Sequence, residues 1–216
     1  MNHKVILFDL GSVIINFDMN ISSAKMAALS GRPQSEVFSL FFDSEISGLH
    51  ESGALSGLEF YRKIKDALTL TLSFEEFKEI WNNIFWENAP VCRLVRALHK
   101  KYRVLLLSNV GQLHYEYIDS TFPIMREFDE KIASYKVGVR KPDARIYRLA
   151  IEISGARPDQ IIYIDDRKEL VDAALKLGIS AIWYNGIDDL VDDLVERGVK
   201  AIPAELLSHR AGASTT

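Results

Sequence analysis

Four short runs along the chain are apolar at every position: V-I-L-F (5–8), V-L-L-L (104–107), I-I-Y-I (161–164) and A-I-W-Y (181–184). A strand covered on both faces reads this way, whereas a strand with one wet face alternates. K-I-A-S (131–134) is a weaker fifth strand. Between the runs, apolar residues at helical spacing predict helices over 90–100, 111–120, 143–154, 168–177 and 188–197. Gly155, Gly178 and Gly198 fall where those helices need C-terminal stops. Strand alternating with helix predicts an α/β fold, a doubly wound, Rossmann-like parallel sheet with right-handed crossovers.

Residues 17–90 break that rhythm. They hold no convincing strand but carry helical patterns near 19–29, 34–42, 57–67 and 74–85. Ser56 with Glu59, and Ser73 with Glu76, have capping-box spacing and mark two helix starts. Phe74, Phe77, Trp81 and Phe85 form an aromatic stripe, read as the core of a helical bundle. The predicted organisation is a core of residues 1–16 and 91–216 with a helical cap inserted at 17–90. Hinges are expected near 16–18 and 87–90, and 47–57 is a candidate mobile loop facing the site. The terminal A-G-A-S-T-T is read as a loosely tied tail.

Composition narrows the function classes. The chain has 216 residues, 48% of them apolar and 26% charged, with a net charge of −4. No basic field is present to attract nucleic acid or anionic lipid, so neither is expected as a partner. An anionic substrate would need local cations. A single cysteine, Cys92, excludes an internal disulfide and suits a reducing compartment. The apolar N-terminal stretch is cut by Asp9, too early for a signal or membrane span, which points to the cytoplasm. Monomer and dimer are both open.

Ligands of an open α/β sheet bind beyond the carboxyl ends of its strands. Strand 5–8 ends in Asp9, strand 104–107 in Ser108 and Asn109, and strand 161–164 in Asp165 and Asp166; the loop after 131–134 carries Lys141. Taken singly, such residues serve as helix caps, turns or solvated loop positions. Four on one sheet edge point to a site. Asp9 and the Asp165–Asp166 pair would repel without a cation between them, so Mg²⁺ is implied. Serine and lysine supply a hydrogen bond and charge for a phosphoryl group, and a carboxylate can attack phosphorus. The partner is then a small phosphorylated metabolite.

The motifs F-D-L-G-S-V-I, L-L-L-S-N, G-V-R-K-P-D-A-R-I-Y and I-I-Y-I-D-D, in that order, resemble the haloacid dehalogenase superfamily in its phosphatase branch. The likeness is greatest to a bacterial group that includes an α-D-glucose-1-phosphate phosphatase. The resemblance implies that Asp9 is the nucleophile and a metal ligand, joined by the Gly11 carbonyl and Asp166. It implies that Ser108 and Asn109 hold phosphate, that Lys141 neutralises it and orders the nucleophile, and that Asp165 stands beside the metal.

Two departures matter. The family's phosphatases carry a second aspartate two residues after the nucleophile, as the acid–base; here that residue is Gly11. Such assistance is worth about 10²–10⁴-fold. Either substrates with good leaving groups are used, sugar 1-phosphates above all, or another acid substitutes (Asp18, or His50 and Glu51 on the insertion), or the protein only binds phosphorylated ligands. Histidine 50 has a surface position as its ordinary reading. A 2-haloacid dehalogenase reading is weaker, because that chemistry needs no metal and has no use for the Asp165–Asp166 pair. The second departure is Leu170, where the family often has an Asp or Asn supporting the metal; Glu169 or Asp172 would stand in.

Overall fold

The computed structural model describes residues 3–208, and the tail lies outside them. In chain order, β1 (Val5–Phe8) and β2 (Ile15–Phe17) precede five helices: α1 (Met19–Ser30), α2 (Gln34–Phe42), α3 (Glu45–Glu51), α4 (Gly57–Leu68) and α5 (Phe74–Asn82). Strand β3 (Phe85–Glu87) and α6 (Ala89–Leu98) lead into β4 (Arg103–Ser108), α7 (Gln112–Thr121), β5 (Glu130–Ala133) and the single turn α8 (Ser134–Val137). The chain closes with α9 (Ala144–Ser154), β6 (Ile161–Asp165), α10 (Lys168–Leu175), β7 (Ser180–Trp183) and α11 (Ile187–Glu196). Among the described residues, no helix is long and apolar enough to cross a membrane.

Five strands form one parallel sheet in the order β5-β4-β1-β6-β7. Side chains alternate across a strand, and both sides here are covered. Val5 and Leu7 join Leu105, Leu107 and Tyr163 against Ile146 and Tyr147 of α9. Ile6 and Phe8 join Val104, Leu106 and Ile164 against Leu94 of α6 and Leu190 of α11. Double burial is what leaves no polar position inside the runs of β1, β4 and β6; the run 181–184 departs from that reading, because β7 is an edge strand and Trp183 is 49% exposed. Because β1 is flanked by β4 and β6, chain direction across the sheet switches at β1, and the strand ends bearing Asp9, Ser108 and Asp165 lie side by side.

The inserted helices bury their own cluster, with Met26, Val37, Phe41, Phe60, Ile64, Phe77 and Trp81 at its centre. Both capping boxes form, Ser56 with Glu59 and Ser73 with Glu76. The structure corrects the reading of this segment in three places. First, Phe85 leaves the helix, since α5 ends at Asn82. It enters β3, which pairs antiparallel with β2 through Ile15↔Glu87 and Phe17↔Phe85. The two connections are thus one short ribbon, extended by Asp18 N–H to the Ile84 carbonyl (3.0 Å) and Asn88 N–H to that of Ile14 (2.9 Å). Second, the stretch 47–57 is not all loop: its first part lies in α3, started by Ser44, whose hydroxyl accepts from Ser47 N–H at 3.1 Å. Third, His50 is buried rather than at the surface, stacked on Phe60 at 4.3 Å.

The cap is seated on the core through the end of α3. Gly53 has φ +74°, and a Cβ there would stand 2.1 Å from the Tyr135 carbonyl oxygen. Only glycine fits, for both conformation and space. Gly53→Ala is expected to cost more than about 1 kcal/mol, because the added methyl must push α3 off the core. Thermal unfolding is the check; an unshifted melting temperature would mean this contact does not hold the cap.

Candidate active site

Asp9 follows the last residue of β1, yet its N–H still donates to the Ile164 carbonyl at 2.9 Å, so its backbone is fixed by the sheet. Asp9 and Asp165 share the parity of Leu7 and Tyr163, so both side chains leave the sheet on one face. Lys141 lies between them. Its ammonium donates to Asp9 Oδ1 (2.8 Å), Asp165 Oδ2 (2.7 Å) and the Leu107 carbonyl (3.0 Å), with the side chain 1% exposed. All three donor positions of the ammonium are used.

Asp165 is similarly saturated. Besides Lys141 it accepts from the Tyr163 hydroxyl and from Arg167 N–H at 2.8 Å. Ser12 holds φ +58° in the turn after Asp9. Strained backbone of this kind gathers at functional turns. Oxygens of Asp9, Asp165 and Asp166 all lie within 4.8 Å of one another.

Three carboxylates against one ammonium leave two negative charges uncompensated in a largely buried place. Burial pushes Asp9 up to about 7 despite the opposing pull of Lys141, and Asp165 and Asp166 push the same way. Burial, then repulsion from Asp165, raises Asp166 as well. Burial lowers Lys141, but Asp9 and Asp165 outweigh it, and the lysine keeps its proton more tightly than usual. A donor set of oxygens only, short of two positive charges, fits a hard divalent cation.

The remaining candidates separate. Ser108 is buried at the end of β4 and borders a cavity beside the site. Asn109 also borders it, but its amide is committed elsewhere: Oδ1 accepts from Lys141 N–H (2.8 Å) and Nδ2 donates to the Lys141 carbonyl (2.9 Å). It clamps the Lys141 backbone, and its backbone N–H and the second hydrogen of Nδ2 are left for a phosphate. Glu169 is exposed and paired with Arg167 at 2.7 Å, away from the carboxylate cluster; Asp172 is exposed on α10. Asp18 is the N-cap of α1, accepting from Asn20 N–H at 2.9 Å.

Gly11 lies on the cavity wall, and a Cβ there would come within 3.1 Å of the Phe17 ring. A side chain at position 11 would require the partly exposed Phe17 ring to give way slightly. The cavity encloses about 110 Å³ and is shared between core and cap: Gly11, Ser108, Asn109 and His114 on one side, Ser47, His50, Glu51, Phe60 and Trp81 on the other. His114 donates its Nε2–H to the Trp81 carbonyl at 3.1 Å and stacks on the Trp81 ring at 4.5 Å. Burial pulls it down to about 3, so it stays neutral.

Sequence reasoning missed Tyr163, though it stands two residues before Asp165 and so on the same face of β6. It also missed Ser134, whose hydroxyl accepts from Val110 N–H (3.0 Å) and donates to the Glu51 carbonyl (2.6 Å), joining the core loop to the cap. No sequence signal links residues so far apart.

A family model described as haloacid dehalogenase-like hydrolase matches residues 3–178. A D-ribitol-5-phosphate phosphatase of Bacteroides thetaiotaomicron is 26% identical over 86% of this chain and 94% of its own length. A phosphorylated carbohydrates phosphatase of Thermotoga maritima is 26% identical over 95% of this chain and 97% of its own. Among solved structures, a haloacid dehalogenase family enzyme of B. thetaiotaomicron, in complex with magnesium and inorganic phosphate, superposes with a TM-score of 0.78. It is 25% identical and covers 85% of this chain and 95% of its own. With strand-end acids, buried lysine and inserted cap in place, the chain belongs to the haloacid dehalogenase-like hydrolase family.

Proposed function

We propose that this protein is a Mg²⁺-dependent phosphomonoester hydrolase of small phosphorylated carbohydrates, working through an aspartyl-phosphate on Asp9. The observation that carries this reading is the Asp9 carboxylate gripped by Lys141 beside Asp165 and Asp166 at the sheet's switch point. Relatives named as phosphatases of D-ribitol 5-phosphate and of phosphorylated carbohydrates support the substrate class. The neighbour solved with magnesium and phosphate supports the cation. Asp9, Asp166 and the Gly11 carbonyl would hold Mg²⁺, with Asp165 steadied by Tyr163 beside them. Bound there, the cation supplies charge for the phosphoryl oxygens. Ser108 Oγ and the Asn109 N–H donors would bind phosphate, and Lys141 would aim Asp9, whose proton the bound cation would help displace. Cys92 plays no part: burial pushes its thiol up to about 12. A lone, inert cysteine agrees with a reducing cytoplasm.

With no acid at Gly11, sugar 1-phosphates, whose leaving oxygen is less basic than a primary alkoxide, suit the site better than terminal alkyl esters. The experiment is phosphate release from a panel of sugar 1-phosphates, terminal sugar phosphates and alditol phosphates, with Mg²⁺ and after EDTA. Chelation is expected to remove essentially all turnover, and 1-phosphates to lead the panel. No release from any ester would leave a phospho-ligand-binding protein. Chloride release from 2-chloropropionate that survives EDTA would replace the proposal with dehalogenation.

A further inference from the structure

We propose that Glu51, carried on the cap, is the proton donor and acceptor for the leaving group, in the role that Gly11 cannot fill. The inference rests on the phosphatase reading and deepens it. Among the described residues Glu51 is the one carboxylic acid on the wall of the cavity that Gly11 and Ser108 border, and neither histidine there has a proton free to give a leaving group, although His50 Nε2 is bare. His114 is held neutral with its one N–H bonded to the Trp81 carbonyl. Burial lowers His50 too, and its Nδ1 faces the Leu55 carbonyl at 3.2 Å, which requires that nitrogen to carry the proton.

The placement of Glu51 is held at three points. Its carbonyl accepts from Ser134 Oγ at 2.6 Å, and Gly53 two residues on lies against the Tyr135 carbonyl. Its carboxylate meets Arg140 Nη2 through Oε2 at 2.6 Å, next in sequence to Lys141. The ion pair uses Oε2, and the side chain stays 30% exposed, so the carboxyl is not sealed off by its partner. Charged groups acting on it are Arg140 and Arg167, both from the core. Burial nonetheless raises its pKa above the usual carboxylate range, which suits an acid that must give and retake a proton.

The proton balance closes within the site. Asp9 Oδ attacks phosphorus as the bond from phosphorus to the ester oxygen breaks, and that oxygen leaves as an alcohol with the proton from Glu51. A water then attacks phosphorus, giving its proton to Glu51; the bond from Asp9 to phosphorus breaks and phosphate departs. Such a donor acts only while the cap is seated, so the preference for less basic leaving groups is softened without being erased.

The test compares kcat/KM on glycerol 1-phosphate, a basic leaving group, with p-nitrophenyl phosphate, whose leaving group needs no proton. Glu51→Gln should lower the first by about 10²-fold or more and leave the second within about threefold. Arg140→Gln, which keeps the carboxyl and removes its countercharge, should move the descending limb of the glycerol 1-phosphate pH profile to higher pH, since the acid then holds its proton longer. An active wild type in which Glu51→Gln slows both esters alike, or an unmoved limb in Arg140→Gln, overturns the role of Glu51 alone. Wild-type protein inactive on both esters with Mg²⁺ overturns the phosphatase reading and this role together.

Discussion

Asp9→Asn is expected to reduce phosphate release to the level of a protein-free control while leaving the fold intact or firmer. The amide oxygen is a poor nucleophile, so the covalent route closes, and losses of this kind reach many thousandfold. Stability should move the other way. Asp9 is 8% exposed and pushed up to about 7 by burial, ahead of the pull from Lys141. The unfolded chain then releases this proton near pH 4, while the metal-free folded protein keeps it until about pH 7. The folded state binds more protons across that window, so metal-free stability falls as pH rises from about 4 to 7, by up to a few kcal/mol. Asparagine has no proton to lose and removes that slope, and Lys141 keeps Asp165 and the Leu107 carbonyl as partners. Urea titrations of both proteins in EDTA between pH 4 and 8 give the comparison. A variant that turns over substrate would end Asp9's role as nucleophile. Parallel stability curves would mean that the buried carboxylate is not strained.

The difference between what was legible and what was not follows from the range over which each signal acts. Asp9, Asp165 and Asp166 could be found because a buried strand tolerates no idle acid, and parallel strands in known order place their ends together. Lys141 could be placed on the same edge, but its grip on two carboxylates at once is a tertiary fact. Asn109 was assigned to phosphate by resemblance. In the structure both ends of its amide hold the Lys141 peptide, across a separation of 32 residues that no local pattern encodes. The β2–β3 ribbon escaped notice because three-residue strands are too short to show a period. Helix α3 contains Ser47 and Gly48, weak helix formers, and owes its existence to the Ser44 cap and to packing against the core. His50 and Glu51 became candidates only as polar residues on an insertion; the seated cap is what puts them on the wall of the cavity.

Lys141→Met is expected to be the most destabilising substitution in the site. It deletes the sole ammonium between Asp9 and Asp165, which are 8% and 0% exposed, and leaves both carboxylates facing each other. Breaking a buried ion pair from one side costs about 3–5 kcal/mol, because the surviving charge has neither water nor a partner. Here Asp165 keeps the Tyr163 hydroxyl and Arg167 N–H, while Asp9, already pushed up to about 7 beside Lys141, would hold its proton to still higher pH, which offsets part of that cost. A divalent cation has three carboxylates to bind in the variant with no competing ammonium. Mg²⁺ should therefore restore a larger share of stability to Lys141→Met than it adds to the wild type. Turnover should not return with it. Asp9 would be held by the cation alone, without the directional hydrogen bond that aims its oxygen, and loss of one such donor lowers turnover about 10²–10³-fold. Urea midpoints with Mg²⁺ and with EDTA, beside phosphate release from the best substrate, separate the two effects. An EDTA midpoint equal to the wild type would show that Lys141 is not the counterion that keeps two carboxylates buried. Turnover recovering along with stability would show that Lys141 contributes charge alone, with no part in holding Asp9 in line for attack.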